Sequence, residues 1–162
     1  MECGVSAFNG LSVILREITI TSCSLHGVLI FTALGRLENV RIEKCRGSGL
    51  AVRAGGLVKL EKFINHENKF STMRVNNNCL AGPRPNGGTF YGLDVGYSRG
   101  VIVLLKPLTK ATVSCDNGVE LGTSCVQTNV QKVVGGGCNW SNSENIRVDE
   151  DYVKIHTNYA DC

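Results

Sequence analysis

Asp94 and Glu120 hold the same place in two copies of one short motif, Gly92-Leu-Asp-Val-Gly-Tyr-Ser98 and Gly118-Val-Glu-Leu-Gly-Thr-Ser124. Two earlier copies are Gly27-Val-Leu-Ile-Phe-Thr-Ala33 and Gly49-Leu-Ala-Val-Arg-Ala-Gly55, the second of which carries Arg53. Stacked as neighbouring strands, these copies turn Val28, Ile30, Leu50, Val52, Leu93, Val95, Val119 and Leu121 inward and the residues between them outward. One outward column then reads Leu29, Ala51, Asp94, Glu120, and the next reads Phe31, Arg53, Gly96, Gly122. Two solvent-facing carboxylates ~5 Å apart, beside glycines that bare the backbone, suit acid/base work on a glycosidic bond or a cation that holds an acidic sugar. Arg53 would grip an anionic group of the same ligand. A solvated polar face is the simpler reading of these positions, since carboxylates on exposed strands are ordinary. Arg53, Asp94 and Glu120 are the candidate ligand-binding residues, and no residue is given a catalytic role.

Other routes to chemistry find little support. His26, His66 and His156 sit in different repeat positions without a clear ligand partner, and no CxxC pair marks a zinc or redox site, so neither metal nor cofactor is expected. There is no Gly-x-Ser-x-Gly elbow and no phosphate-binding Gly-x-x-x-x-Gly-Lys loop; Gly135-Gly-Gly137 reads as a bend. A second pair of outward columns, Thr19, Arg41, Arg74, Ser114, Arg147 and Thr21, Glu43, Asn76, Asp116, Asp149, sets a basic stripe beside an acidic one. That pairing suits a charged glycan or protein partner, or simply cross-strand charge pairing.

The formal net charge of +3 is too small for a dedicated nucleic-acid face. The charge is uneven: nine Lys or Arg against four Glu from Arg36 to Arg74, and five acids against two bases from Glu144 to Cys162. The longest apolar run, Val101-Ile-Val-Leu-Leu105, falls far short of the ~20 residues that span a bilayer. Met1-Glu-Cys-Gly-Val-Ser6 lacks the pattern of a secretory signal, whereas eight cysteines lean toward an extracellular or surface setting.

The elements that would position these residues come from a repeat. Leu15-Arg-Glu-Ile-Thr-Ile-Thr-Ser-Cys23 and Leu37-Glu-Asn-Val-Arg-Ile-Glu-Lys-Cys45 match position for position at an offset of 22. Looser copies are Phe70-Ser-Thr-Met-Arg-Val75, Lys110-Ala-Thr-Val-Ser-Cys115 and Ser143-Glu-Asn-Ile-Arg-Val-Asp149. Two-residue alternation rich in Val and Ile, with a glycine at the corner, makes each unit strand, turn, strand. Such strands are too short to bury a face alone, so successive units must stack at ~4.8 Å into a continuous core. The offset sets Cys23 over Cys45, as a disulfide or a packed thiol column.

The rhythm of apolar-x-apolar-x-x-Cys followed by Gly-apolar-x-apolar, with Cys23, Cys45 or Asn76-Asn-Asn78 at the turn, resembles the right-handed parallel β-helix superfamily, the pectin-lyase-like group. The resemblance runs from Gly10 to Ser124 and again near Asn145. It implies one all-β domain over 1–162, about six or seven coils in a rod of roughly 30 Å, as a whole molecule, a fragment or a subunit of a longer rod. Asn76 to Thr89 reads as a Gly/Pro/Asn-rich loop leaving that rod. The Asn-Thr-Asp and Gly-His-Gly motifs of the pectin-degrading hydrolases are absent. A non-catalytic structural or recognition module, binding a glycan or a protein and open to oligomerisation, is therefore the first functional reading. The alternative is a polysaccharide-processing enzyme of lyase, hydrolase or epimerase type, or its inactive remnant. A leucine-rich-repeat interaction domain is the competing fold, because Leu-x-x-Val-x-Ile-x-x-Cys also fits it and Leu60 to Phe70 offers another copy; against it stand 18 Val to 15 Leu. Far-ultraviolet circular dichroism is expected to show strand signal with little helix, and substantial helix would favour the leucine-rich repeat.

Overall fold

The computed structural model describes residues 2–62, 72–76, 78–80, 90–95, 100–115, 117, 138–140 and 145–149. The strands arrive in triplets. The first is β1 (Val5–Phe8), β2 (Ser12–Arg16) and β3 (Thr19–Thr21); the second is β4 (Val28–Phe31), β5 (Leu34–Glu38) and β6 (Arg41–Glu43). The third is β7 (Leu50–Arg53), β8 (Leu57–Glu61) and β9 (Arg74–Asn76), and the fourth β10 (Tyr91–Val95), β11 (Val101–Leu105) and β12 (Ser114–Cys115). Two more strands follow, β13 (Cys138–Trp140) and β14 (Ile146–Asp149). Each triplet gives one strand to each of three sheets, ordered β1-β4-β7-β10-β13, β2-β5-β8-β11-β14 and β3-β6-β9-β12. Every pairing is parallel. Among the described residues the one helix is α1 (Lys110–Val113), capped by Thr109, so the chain is all-β. No helix there is long and apolar enough to cross a membrane.

Alternation sorts each strand into an inner and an outer set. The inner columns Val28, Leu50, Leu93 and Ile30, Val52 on the first sheet, Leu37, Leu60, Leu104 on the second, and Ile42, Val75 on the third are fully or almost fully buried. They form one apolar interior between the sheets.

The corners impose the tightest backbone demand. Asn9, Thr32 and Ala54 end the first strand of successive triplets with φ of 54°, 51° and 50°; Glu17 and Asn39 end the second with 52° and 51°; Ser22 and Lys44 end the third with 59° and 57°. This left-handed region costs a non-glycine residue roughly 1–2 kcal/mol. Hydrogen bonds between triplets offset that cost: the backbone N–H of Asn9 donates to Phe31 O (3.2 Å), Thr32 to Arg53 O (3.2 Å), Glu17 to Glu38 O (2.9 Å) and Ser22 to Glu43 O (3.2 Å). Stacking, not local propensity, fixes these bends.

Several sequence expectations change here. Each repeat has three strands, not two: β2, β5, β8 and β11 form a sheet of their own, of which the sequence units contain only Leu15-Arg16 and Leu37-Glu38, joined to the strands after them. Thr19, Arg41 and Arg74 do share a column, as do Thr21, Glu43 and Asn76. Ser114 instead pairs with Val75 in the inner column, and Cys115 pairs with Asn76. A one-residue slip reverses every side chain, and the slip arises because Lys110–Val113 is the capped helix α1 rather than strand. Arg147 and Asp149 lie in the second sheet, opposite Val103 and Leu105, not in the third. Of the expected loop, Asn76 belongs to β9, while Asn78 and Cys79 are buried; residues 77 and 81–89 lie outside the described residues, as does Asp116.

The glycines before β1, β4 and β7 have a packing reason. A Cβ on Gly27 would stand 2.7 Å from Gly49 O and collide with the Ile42 side chain. Gly27→Ala is expected to lower the stability measured by denaturant unfolding by about 1–3 kcal/mol, whereas Gly10→Ala, with nothing within 4 Å of its Cβ, carries only the cost of its φ of 78°.

Candidate functional site: the Asp94 cluster, the cation bridge and an outer groove

Arg53 closes β7 and Asp94 lies on β10, where Ala51 is its register partner. The expected column Leu29, Ala51, Asp94 forms. Arg53 Nη2 donates to Asp94 Oδ2 at 2.7 Å, and its Nη1 donates to the backbone oxygens of Asp94 (2.9 Å) and Val52 (3.2 Å). The Ser48 hydroxyl donates to the same Oδ2 at 2.6 Å, and Tyr91 N–H donates to that hydroxyl at 3.2 Å. Ser48 N–H donates to His26 Nδ1 at 3.0 Å, so the imidazole is neutral with its hydrogen on Nε2. Phe90 packs edge-on to the His26 ring, with centroids 5.9 Å apart.

Asp94 was expected to face solvent, yet it is 3% exposed. Arg53 and Ser48 both donate to its Oδ2, so the buried carboxylate is held as a structural acceptor rather than turned to solvent. Glu120, Gly96 and Gly122 lie outside the described residues. The far edge of β10 is held by β13, with Tyr91 opposite Cys138 and Leu93 opposite Trp140. Among the described residues no three His, Cys, Asp or Glu side chains converge as a metal site requires.

A second charged cluster went unread in the sequence. Arg16, Glu38 and Glu61 are register partners on β2, β5 and β8. Glu38 and Glu61 are 5% and 6% exposed. Glu38 takes Arg16 Nε on one oxygen and Arg36 Nε on the other at 2.6 Å, while Arg36 Nη2 reaches Glu61 at 3.0 Å. Arg36 thereby bridges two buried carboxylates of adjacent triplets. The clue available was the recurrence of Leu-Glu at 37–38 and 60–61, at an offset of 23.

On the outer face of the second sheet, Ser12, Ile14, Leu34, Arg36, Leu57 and Lys59 border an open groove of about 260 Å³ floored by Val13 and Gly35. Ile14 and Leu34 are 55% and 52% exposed. Around the adjoining corner stand Leu11 and the tilted pair Phe8 and Phe31, with ring centroids 6.1 Å apart.

At the turn that closes each triplet, Cys23 and Cys45 stand in equivalent places, each thiol directed at the carbonyl two residues earlier. Asn78 takes the corresponding place in the third triplet: its Oδ1 accepts from Cys45 N–H and its Nδ2 donates to Ile42 O, and Asn117 repeats both contacts on Asn78 N–H and Val75 O. The thiols of Cys23 and Cys45 are free, the packed-column form of the expected pairing. Burial pushes the Cys45 thiol from its ordinary 9.0 up to about 12; the backbone hydrogen bond with Cys23 opposes the shift, while the charge and side-chain hydrogen bond of Cys23 add to it.

Compared with protein-family models, with curated proteins and with solved structures, the chain finds no match in any of the three.

Two outcomes follow from the buried groups. Asp94→Ala leaves Arg53 and Ser48 without their shared acceptor and is expected to cost about 3–5 kcal/mol of unfolding free energy; a cost below about 0.5 kcal/mol would mean the cluster is open to water. Cys45 keeps its proton in the folded chain from pH 9.0 to about 12 while the unfolded chain releases it. Its contribution to stability is whole below about pH 9 and falls as pH rises toward about 12, so alkaline unfolding curves of Cys45→Val should decline less over that window than those of the parent.

Proposed function

We propose that this chain is a right-handed parallel β-helix acting as a non-catalytic structural and recognition module. Supporting the right-handed reading, parallel strands of one sheet recur once in each successive triplet, and such crossovers are right-handed in about 98% of cases. The pectin-lyase-like rhythm of its turns supports the same architecture.

The observation that carries the functional reading is the state of Asp94. A general acid or base needs a free path to substrate, whereas this carboxylate is held by Arg53 and Ser48 in a buried position. The surface offered instead is apolar: Phe8, Leu11, Ile14, Phe31 and Leu34 stand exposed on neighbouring strands and corners. Exposed apolar surface of this kind marks contact with a protein, a membrane or an apolar ligand. A partner presenting its own aliphatic and aromatic side chains suits this strip better than a glycan, which would call for polar groups oriented on an open floor.

The test is turnover. The parent and Asp94→Asn are each incubated with a panel of neutral and acidic polysaccharides, and new chain ends are counted. Neither protein is expected to produce any. Cleavage by the parent that disappears in Asp94→Asn would establish an enzyme and overturn the reading.

A further inference from the structure

We infer that Cys23 and Cys45 are a redox-sensitive pair, which a small-molecule disulfide such as oxidised glutathione closes into a reversible bond between two triplets. The free thiols are its open state. The pair lies at the turns that follow β3 and β6 rather than on the apolar strip, and so goes beyond the reading above. Closed, it would tie those turns covalently where hydrogen bonds alone hold them when open.

Register brings the two cysteines together. Thr21 is paired with Glu43, and Cys23 and Cys45 each stand two residues further on, with Arg46 N–H donating to Cys23 O at 2.9 Å across the same turn. Each thiol is aimed at the carbonyl two residues before it, so the side chains leave the stack in the same direction. Cys45 Sγ lies against the preceding triplet, where a Cβ on Gly27 would stand 3.2 Å from it. The two thiols are near enough to share a hydrogen bond. Stacked positions are ~4.8 Å apart, inside the ~4.4–6.8 Å that a disulfide spans between Cα atoms. Their Cβ atoms point the same way and keep about that separation, beyond the ~3.5–4.5 Å of a relaxed bridge. Closure must draw the turns together, so the bond is of the strained, readily reduced kind rather than the permanent kind.

The order of the two exchanges follows from burial. Cys45 is fully buried, which leaves the first exchange to Cys23. The Cys23 thiolate attacks one sulfur of oxidised glutathione, forming a mixed disulfide and releasing one glutathione thiolate. Cys45 then gives up its proton to water, and its thiolate attacks the Cys23 sulfur, forming the bond between the two cysteines and releasing the second glutathione. The pair loses two electrons and two protons in all, and the glutathione disulfide takes them up as two thiols. Reduced glutathione runs the same steps backward.

The test holds the full chain under folding conditions at about pH 8 in oxidised glutathione, quenches with acid and maps peptides without reduction. A peptide joining Cys23 to Cys45 should appear while circular dichroism keeps its strand signal, and reduced glutathione alone should remove it. Cys45→Ser should stop at a mixed disulfide on Cys23, and Cys23→Ser should leave Cys45 unmodified. Because burial holds the Cys45 proton up to about 12, closure should quicken roughly tenfold for each pH unit between about 7 and 9. A parent that carries glutathione on Cys23 without closing overturns the inference, as does a bridge from Cys23 to another cysteine, closure only in urea, or a bond that outlasts reduced glutathione. Should Cys45→Ser lose its strand signal, early time points of the parent read the order instead: the mixed disulfide on Cys23 should precede the bridge, and glutathione found first on Cys45 would count against the pair as described.

Discussion

The structure depends on one constraint: each strand must lie in register on its counterpart from the previous triplet. Strands of two to five residues have almost no stability alone, and the corners between them hold non-glycine residues in a costly backbone conformation. Both deficits are met by the same contacts. The N–H of a corner residue donates to the next triplet, and the strands on either side do the same, so that order in one triplet supports order in its neighbours. This is the near-neighbour logic of repeat proteins, in which stability is a sum of stacking terms.

Register also decides what happens to charge. Arg16, Glu38 and Glu61 stack in one column, and Arg36 from the adjacent column reaches both carboxylates. Arg53 and Asp94 come from neighbouring columns of the first sheet in the same way. In each case an outward position has become buried because its neighbours cover it, and the carboxylate is retained through a guanidinium. Ion pairs of this sort add little net stability relative to apolar packing, but losing one partner is expensive. They resist slippage of one triplet along another, since a shift of one residue would leave a buried carboxylate unpaired.

The sequence displayed the columns of the first sheet, and the pairings of Val28, Leu50 and Leu93 follow the glycine-led motif as read. It also displayed the turn where Cys23 and Cys45 stack. Asn78 and Asn117 continue that turn through their amide side chains, which satisfy backbone groups that the thiols leave to other partners. The second sheet was less legible. Ser-Val-Ile-Leu-Arg, Leu-Gly-Arg-Leu-Glu and Leu-Val-Lys-Leu-Glu differ in their outer residues, and Glu17 and Asn39 mark the ends of the first two rather than Gly or Pro, so those two strands merge with their successors in the sequence and the third has no motif to mark it. Ser114 misled for another reason: it is a hydroxyl in an otherwise apolar column, accommodated because Asn117 donates to it at 3.0 Å. The burial of Asp94 could not be read from alternation alone, because alternation tells inside from outside of a sheet and says nothing of what covers the outer face.

The most direct measurement of the stacked parallel register is the set of nuclear Overhauser contacts between β4 and β7. The account requires Val28 beside Leu50 and Ile30 beside Val52. Contacts from Val28 to Val52 and from Ile30 to Leu50 would mean that the two strands run antiparallel, and would contradict it.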